Sequence, residues 1–551
     1  MLLLLGCFGA ADVVAQVKDH SFEVTKNLEI LNEIYQRLDL MYVDTLEANE
    51  VIGDGINSML QSLDPYTVYY PEEKLKEFKY FLSGSYAGIG SIIKYNYQIG
   101  RVVIDEPYEG MPAAEAGLKR GDIILAVDDI DMTDKAQDFV SEHLRGEPGT
   151  SFILKIKRPS TGKTMKMKIT RRAIQTPSVP FYGMRQGDIG YINLNSFTED
   201  CSKDFRRALL DLKRQGMQKL IIDLRGNGGG SEMEAVNIVN MFVPKGKLIV
   251  SNRGKLPNAN RDYKTTVEPV DSLMPIVVLV DGSSASSSEI TSGAMQDLDR
   301  AVILGTRTYG KGLVQMTMDL PYNGSMKMTT NKYYIPSGRC IQARSYKRSN
   351  GRYVEEHVPD SLTKVFYTAA GRPVRDGGGI MPDVVVQPDS MSNLVYSLAA
   401  LRDSDELLHN YVIDYVASHP TIAPAKDFQI TDADFEEFKG RMLKSNFKYD
   451  RATEKYLETL EKIAKYEGYY DDAKTEFDNL RAKLKHNLEK DLDFNKEAIK
   501  DMISNELVSC YYYQRGAIEN MLRRDKQMAE AVRLLNAPEE YAKLLKPSEK
   551  Q

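Results

Sequence analysis

The chain has 551 residues, of which 42% are hydrophobic and 27% charged, and its formal net charge is −6. This composition is typical of soluble globular proteins, and the length predicts three or four domains. It excludes a disordered chain and a multispan membrane protein, and the acidic balance argues against nucleic acid as the main partner.

Residues 1–15 begin with a short apolar run followed by small residues. Such a run is too short to span a bilayer but is typical of the apolar part of an export signal, with Val13-x-Ala15 as a cleavage site. No basic residues precede the run, and Leu5-Gly6-Cys7 resembles a lipoprotein processing site. We expect an exported protein of the periplasm or cell envelope, with a lipid anchor at Cys7 as the less favoured form. The alternative is an N-terminal helix docked on the core.

Residues 22–82 are predicted to form a small helical module. Apolar residues recur at helical spacing between Leu28 and Tyr42, and a second helix is predicted over Ala48–Leu63. The sequence from Leu63 to Thr67, LDPYT, is a turn signal that ends this second helix.

Residues 83–174 change to short β-rich runs separated by glycines. The string from Pro112 to Val127, PAAEAGLKRGDIILAV, and the helix predicted over Thr133–Leu144 resemble a PDZ domain. In such a domain the backbone N–H groups of a turn, here Gly88, Ile89 and Gly90, bind the terminal carboxylate of a peptide that adds a strand to the sheet. The alternative is that these glycines serve only a tight turn.

Residues 175–390 alternate strands and helices, which predicts an α/β core with a mainly parallel sheet. The predicted strands are Ile189–Leu194, Leu220–Leu224 and Pro275–Val280, and the predicted helices are Ser202–Gln215, Glu232–Met241 and Ser286–Leu298. Residues 392–545 are rich in Lys, Glu and Asp and are predicted to be helical, with apolar residues at helical spacing: Tyr456, Leu460, Ile463 and Tyr466.

Three polar stretches of the α/β core can carry chemistry. A serine run, Asp281–Glu289, follows a predicted strand and opens a helix, where a hydroxyl can lie beside backbone N–H groups that stabilise an oxyanion. Taken alone, these serines are better explained as helix caps. Two further stretches reverse that interpretation: Gly310–Gln315, which reads GKGLVQ, and Asp223–Gly230, which reads DLRGNGGG.

These stretches together, preceded by the PDZ-like segment, resemble the C-terminal processing (tail-specific) serine peptidases over about 360 residues. The resemblance implies a multidomain α/β protein: a helical N-terminal module, a β-rich PDZ domain, an α/β peptidase core and a helical C-terminal domain. It further implies a nucleophile at Ser286, a general base at Lys311 and a lysine-orienting Gln315. The oxyanion donors would be the N–H of Ser287 and that of Gly229 or Gly230.

The same resemblance places an acidic residue at Asp297, which we interpret as structural. Gly228 departs from the family, since many relatives have proline there. A lysine can act as a base near neutral pH only when burial destabilises its ammonium form, and Gln315 offers it a neutral carbonyl.

Other kinds of site are not supported. The cysteines lie far apart, the histidines lack zinc-ligand spacing, and neither a P-loop nor a calcium loop is complete, so we expect no metal and no cofactor. A Ser-His-Asp triad would require His357, in a stretch (Val354–Asp360) interpreted as a solvated loop.

The expected activity is a serine endopeptidase that acts on proteins with unstructured C-terminal tails. The C-terminal helices allow a homo-oligomer, substrate gating or adaptor docking. The alternative function is a catalytically inactive PDZ scaffold that only binds peptides.

Overall fold

A computed structural model describes residues 8–75, 85–349, 352–400, 406–449 and 451–547. The chain divides into two compact units. The smaller unit comprises Met1–Leu75, Gln315–Thr329 and Arg348–Tyr353, and the larger unit comprises Lys76–Val314, Thr330–Lys347 and Val354–Gln551. Cys7 and the first residues of the predicted export signal lie outside the described residues.

The smaller unit is built on two helices and a short sheet. Helix α1 covers Phe8–Met41, α2 covers Ala48–Gln61, and strand β1 (Val68–Tyr70) pairs antiparallel with Ser325–Lys327. The predicted turn is held by Asp64, whose carboxylate accepts hydrogen bonds from the N–H groups of Tyr66 and Thr67 over 2.8 and 2.9 Å. A short side chain that caps its own turn in this way ends a helix locally.

The PDZ segment forms an antiparallel sheet of six strands. Its strand order is β3-β4-β5-β7-β8, with β6 beside β5, so that β3 is an edge strand. Two helices cover the sheet, and β2 and β9 pair with each other. The elements are β2 (Ser85–Gly88), β3 (Ser91–Asn96), β4 (Arg101–Pro107), α3 (Pro112–Glu115), β5 (Ile123–Val127), β6 (Ile130–Asp131), α4 (Gln137–Leu144), β7 (Ser151–Arg158), β8 (Lys163–Thr170) and β9 (Arg172–Gln175).

The α/β core contains a six-stranded sheet in the order β10-β11-β12-β15-β16-β23. All neighbouring strands are parallel except β10 and β11. Strands buried on both faces read as continuous apolar runs, as in β15, whose residues Ile276–Val280 are fully buried. The elements are β10 (Phe181–Met184), β11 (Ile189–Asn193), α5 (Cys201–Arg214), β12 (Lys219–Asp223), α6 (Glu232–Val239), β15 (Ile276–Val280), α7 (Ser287–Asp297), β16 (Val302–Gly305) and β23 (Val384–Val385).

The remaining strands form smaller sheets. They are β13 (Leu248–Gly254), β14 (Arg261–Lys264), β17 (Leu313–Asp319), β18 (Ser325–Tyr334), β19 (Arg344–Ser349), β20 (Arg352–His357), β21 (Val365–Tyr367) and β22 (Pro373–Arg375). The interpretation of Val354–Asp360 as a loop is therefore wrong in its first half. Residues up to His357 form β20, which pairs with β19, because Val354 and the preceding Tyr353 favour a strand.

The C-terminal region is helical, as predicted. Its helices are α8 (Asn393–Ala400), α9 (Leu407–Ser418), α10 (Asp432–Leu443), α11 (Ala452–Glu467), α12 (Lys474–Lys483), α13 (Leu488–Phe494), α14 (Lys496–Met521), α15 (Lys526–Leu535) and α16 (Pro538–Leu544). The apolar residues predicted at helical spacing in α11 are exposed, with Tyr466 92% accessible, whereas Leu457 on the same helix is buried.

The last two helices cover one face of the six-stranded sheet. Leu534 packs in one cluster with Ile221 and Val277, and the Tyr541 hydroxyl bonds both the N–H and the carbonyl of Ile276 over 2.9 Å. Helices α15 and α16 thus complete the layered core rather than standing apart from it.

The PDZ segment packs on the helical region within the larger unit. Arg120, within the PDZ string Pro112–Val127, contacts Asp105 over 3.2 Å and Glu506 of α14 over 2.5 Å. A cavity of about 470 Å³ lies beside this contact, between the PDZ segment and helices α9 and α14. A salt bridge therefore joins the PDZ segment to the helical region.

Candidate active site

The serine run forms a tight turn between β15 and α7. Ser286 has φ +55° and ψ −114°, a left-handed backbone conformation that a non-glycine residue rarely adopts. Such strain persists only where the surroundings enforce it, and it is concentrated at functional sites. Ser286 is half-buried, whereas the helix that it begins is buried along its whole length.

The neighbouring serines have structural partners. The hydroxyls of Ser284, Ser287 and Ser288 donate to the carbonyls of Leu224, Gly230 and Asn227, over 2.8 to 2.9 Å. They fasten the turn to the glycine-rich loop that follows β12. The serine run therefore fixes the turn around Ser286 through hydrogen bonds and does not serve only as a cap of α7.

The glycine-rich loop lies directly against the Ser286 turn. A Cβ added to Gly229, whose φ is +99°, would lie 2.8 Å from Ser286 Cβ. The N–H of Gly229 donates to Asn227 Oδ1 over 2.9 Å. Among the described residues we find no hydrogen bond from the N–H of Gly230 or of Ser287. Of the two glycines predicted as oxyanion donors, Gly230 is therefore the better candidate.

The lysine loop is equally constrained. Gly310 has φ +86° and lies against Ala343, where any side chain would collide. The N–H of Gly312 donates to Gln342 Oε1 over 2.6 Å. These contacts hold Lys311, which is half-buried, between two glycines that no larger residue could replace.

Glu289 joins the serine turn to the lysine loop. Its carboxylate is fully buried, and its Oε2 accepts hydrogen bonds from the N–H of Ser286 and the N–H of Lys311, each over 2.9 Å. Its Oε1 accepts from the Thr308 hydroxyl over 2.6 Å and from the N–H of Gly310 over 2.7 Å. Burial raises the pKa of Glu289 from 4.5 to about 7, although the four hydrogen bonds act in the opposite direction.

Tyr333 makes a second connection between the same two segments. Its buried hydroxyl lies 2.7 Å from the carbonyl oxygen of Lys311 and 3.2 Å from that of Ser286. Burial, with a smaller effect of the Glu289 carboxylate, raises the pKa of Tyr333 well above its ordinary value. The hydroxyl therefore stays protonated and can donate.

Sequence reasoning missed both Glu289 and Tyr333. The spacing from Ser286 to Glu289 matches a capping box, a pattern that explains a helix start without a functional role. Tyr333 lies in β18, remote from both loops in the sequence, and no local pattern connects it to them.

Three profiles of known protein families match the chain. Peptidase family S41 matches residues 188–348, a PDZ domain matches residues 103–158, and "Probable PDZ-protease, C-terminal helical domain" matches residues 397–535. The chain is 35% identical over 321 residues to the carboxy-terminal-processing protease of Bartonella bacilliformis, which is 58% of this chain and 73% of that protein. The chain belongs to the carboxy-terminal-processing protease family.

Two further proteins are similar to parts of this chain. A "Probable CtpA-like serine protease" of Staphylococcus aureus is 33% identical over 58% of this chain and 64% of its own length. The solved structure of the photosystem II D1 C-terminal processing protease is 26% identical, covers 64% of this chain and 86% of its own, and has a TM-score of 0.35. The family assignment rests on the sequence matches.

In this member of the family, Asp297 forms a buried ion pair. Its carboxylate contacts the guanidinium of Arg339 over 2.8 Å, and both side chains are almost fully buried. The N–H of Ser337 donates to its second oxygen over 2.9 Å. These partners agree with the interpretation of Asp297 as structural.

Gln315 belongs to the smaller unit. Its side-chain amide donates to Thr329 Oγ1 over 3.1 Å, across the β17–β18 hairpin. Its role in orienting Lys311 remains a prediction.

The turn predicted to bind a terminal carboxylate is buried. The carbonyl of Ile89 accepts the N–H of Ala113 over 2.8 Å, and that of Gly90 accepts the N–H of Tyr108 over 2.9 Å. A Cβ added to Gly88 would lie 2.9 Å from the Tyr86 ring, on which the Arg145 guanidinium stacks. The turn adjoins the edge strand β3, where the N–H of Tyr95 donates to Gln137 Oε1 over 3.3 Å.

Within the described ranges, no three histidine, cysteine or acidic side chains lie close enough together to hold a metal ion. No helix there combines the length and apolar character needed to cross a membrane.

Proposed function

We propose that the protein is an endopeptidase that cleaves proteins near their C-terminus with a Ser286/Lys311 dyad after its PDZ domain has captured the C-terminal tail. The observation that carries this proposal is the pair of hydrogen bonds to Glu289 Oε2. One buried oxygen accepts the N–H groups of Ser286 and Lys311, so both segments are fixed to one point. The strained backbone of Ser286 adds support.

In the proposed reaction the neutral amine of Lys311 takes the proton of the Ser286 hydroxyl as Oγ attacks the scissile carbonyl carbon. The N–H groups of Ser287 and Gly230 stabilise the oxyanion of the tetrahedral intermediate. When the intermediate collapses, the Lys311 ammonium returns the proton to the leaving amine, and an acyl-enzyme remains. Water then attacks the ester, again with Lys311 as the base, and frees Ser286.

Substrate delivery is proposed to run through the PDZ domain. Among the residues that the structure describes, the edge strand β3 has no neighbouring strand on one side, which suits the addition of a peptide strand. We further propose that the protein acts after export to the periplasm or cell envelope. An inactive scaffold is the weaker proposal, because such a scaffold has no need of a strained serine held to a lysine loop.

The test is covalent labelling of the full chain by a fluorophosphonate, which reacts with an activated serine hydroxyl. Wild-type protein should be labelled and Ser286→Ala should not. Ser283→Ala is the matched control, because Ser283 lies exposed in the same turn, and its labelling should equal that of wild type. Labelling of Ser286→Ala at the wild-type level would overturn the proposal.

A further inference from the structure

The main-chain carbonyls of Ser286 and Lys311 meet at one hydroxyl. Tyr333 Oη lies 2.7 Å from the Lys311 oxygen and 3.2 Å from the Ser286 oxygen. A hydroxyl has one proton to donate, and the shorter distance assigns it to Lys311. The hydroxyl thus bonds the main chain of the proposed lysine base and lies beside the carbonyl of the proposed nucleophile.

We propose that Tyr333 is a positioning residue, whose hydroxyl holds the main chain at Lys311 and thereby sets the distance between the lysine amine and Ser286. This inference rests on the proposed Ser286/Lys311 chemistry. A displacement of about 1 Å in the group that removes a proton can cost about 100-fold in rate, so a single hydrogen bond to this loop is sufficient to affect turnover.

Loss of the hydroxyl would act mainly on the lysine side. The Ser286 carbonyl also accepts the N–H groups of Glu289 and Ile290, each over 2.8 Å, so the serine turn keeps two other donors. The backbone of Tyr333 is held separately, because its N–H donates to the Gly312 carbonyl over 3.0 Å and its strand pairs with Asn252 of β13. The aromatic ring is buried, and phenylalanine would fill the same space.

The hydroxyl is a stable donor. Burial raises its pKa, and the Glu289 carboxylate nearby acts in the same direction, so ionisation is disfavoured throughout the working pH range. A phenolate in this place would repel both carbonyls and release the loop. The site therefore keeps Tyr333 in the one form that can hold Lys311.

The experiment compares Tyr333→Phe with Tyr411→Phe in the full chain. Tyr411 is an equally buried tyrosine whose hydroxyl donates to the Asp434 carbonyl over 3.0 Å in the helical region, so the control removes the same kind of bond elsewhere. For a peptide substrate with a free C-terminus, Tyr333→Phe should lower kcat by about 10- to 100-fold with KM unchanged. Tyr411→Phe should leave both constants within about twofold of the wild-type values.

Incorporation of 4-aminophenylalanine at position 333 provides the rescue, because its N–H restores a donor at the ring tip. It should recover most of kcat, and it decides the outcome if Tyr333→Phe does not fold. Wild-type kcat in Tyr333→Phe, or no recovery with the amino analogue in a folded protein, would overturn the role of Tyr333. Ser286→Ala and Lys311→Ala, measured in parallel, separate this outcome from failure of the dyad: if they stay active, the proposed function itself is wrong.

Discussion

The backbone N–H groups of Ser286 and Lys311 donate to the same oxygen atom, Oε2 of Glu289, each over 2.9 Å. The oxygen is completely buried, so no water competes for these hydrogen bonds. A serine turn and a lysine loop that are distant in sequence are thereby held in one fixed arrangement. Preorganisation of this kind is what a dyad needs, because proton transfer tolerates little error in distance.

Glu289→Gln should remove most of the activity. The side-chain amide replaces one acceptor oxygen with an NH₂ group, which would face backbone N–H donors. An NH₂ group in place of Oε2 would remove the hydrogen bonds from both Ser286 and Lys311, and one in place of Oε1 would face the Gly310 N–H of the lysine loop. In either orientation the lysine loop loses a hydrogen bond, and kcat should fall by about 100-fold or more. The matched control is Glu234→Gln, another buried glutamate that accepts a backbone N–H, that of Ser202 over 2.7 Å. This control should lose stability but keep kcat within about threefold; equal losses of kcat would contradict the role of Glu289.

The stability contribution of Glu289 should depend on pH. Its pKa in the folded state is about 7, above the ordinary 4.5, so the folded state binds its proton more tightly. The contribution is therefore fully present below pH 4.5 and is lost as pH rises through about 7. Buried His409, whose pKa is lowered to about 3 chiefly by burial, acts in the opposite direction over the acid range.

The measurement is therefore the difference in free energy of unfolding between wild type and Glu289→Gln. The contribution of His409 is the same in both proteins and cancels in this difference. The free energy of unfolding of the wild type, relative to that of Glu289→Gln, should fall between about pH 5 and pH 8. Wild-type activity should rise over the same interval, because a proton on Glu289 competes with the four donors through which its carboxylate holds the serine turn and the lysine loop. A difference that is constant with pH would contradict the raised pKa.

The contact of Arg120 with Glu506 should stabilise the association of the PDZ domain with the helical region. The Arg120 side chain is 17% exposed, and its removal would leave Asp105 and Glu506 without a partner. Arg120→Met should therefore cost about 2–5 kcal/mol in the free energy of unfolding, measured with urea. Arg524→Met removes exposed ion pairs with Glu497 and Asp501 and should cost less than about 1 kcal/mol for each pair. Equal effects would show that the Arg120 contact is an ordinary surface pair.

Local patterns in the sequence were sufficient for much of the core and of the candidate site. The apolar run at Ile276–Val280 and the serines after it predicted the strand, the turn and helix α7. Residues that act across the fold could not be predicted in this way. Glu289 has the spacing of a helix cap, and nothing near Tyr333 in the sequence points to the lysine loop. Helical periodicity likewise did not reveal that α15 and α16 cover the parallel sheet, because an amphipathic pattern does not specify the surface it packs on.

Substrate capture should depend on a free terminal carboxylate. Backbone N–H groups recognise the anion, so amidation of the tail of a peptide substrate should weaken capture about tenfold, equivalent to about 1.4 kcal/mol. Substitution of Gly90 is a poor test, because its φ is +67° and a Cβ would lie 2.5 Å from that of Met111, which would distort the turn itself. The measurement is kcat/KM for the free and the amidated peptide. Equal kcat/KM values for the two peptides would mean that the PDZ domain does not recognise the terminal carboxylate.

The central claim, a dyad of Ser286 and Lys311, is tested most directly by the cleavage rate of Lys311→Ala on a protein with an unstructured C-terminal tail. The account predicts a loss of about 10⁴-fold in kcat, as large as that of Ser286→Ala, because members of one catalytic unit fail together. Thermal unfolding of both variants should match that of wild type within a few degrees. Cleavage by a folded Lys311→Ala at more than about one tenth of the wild-type rate would contradict the dyad.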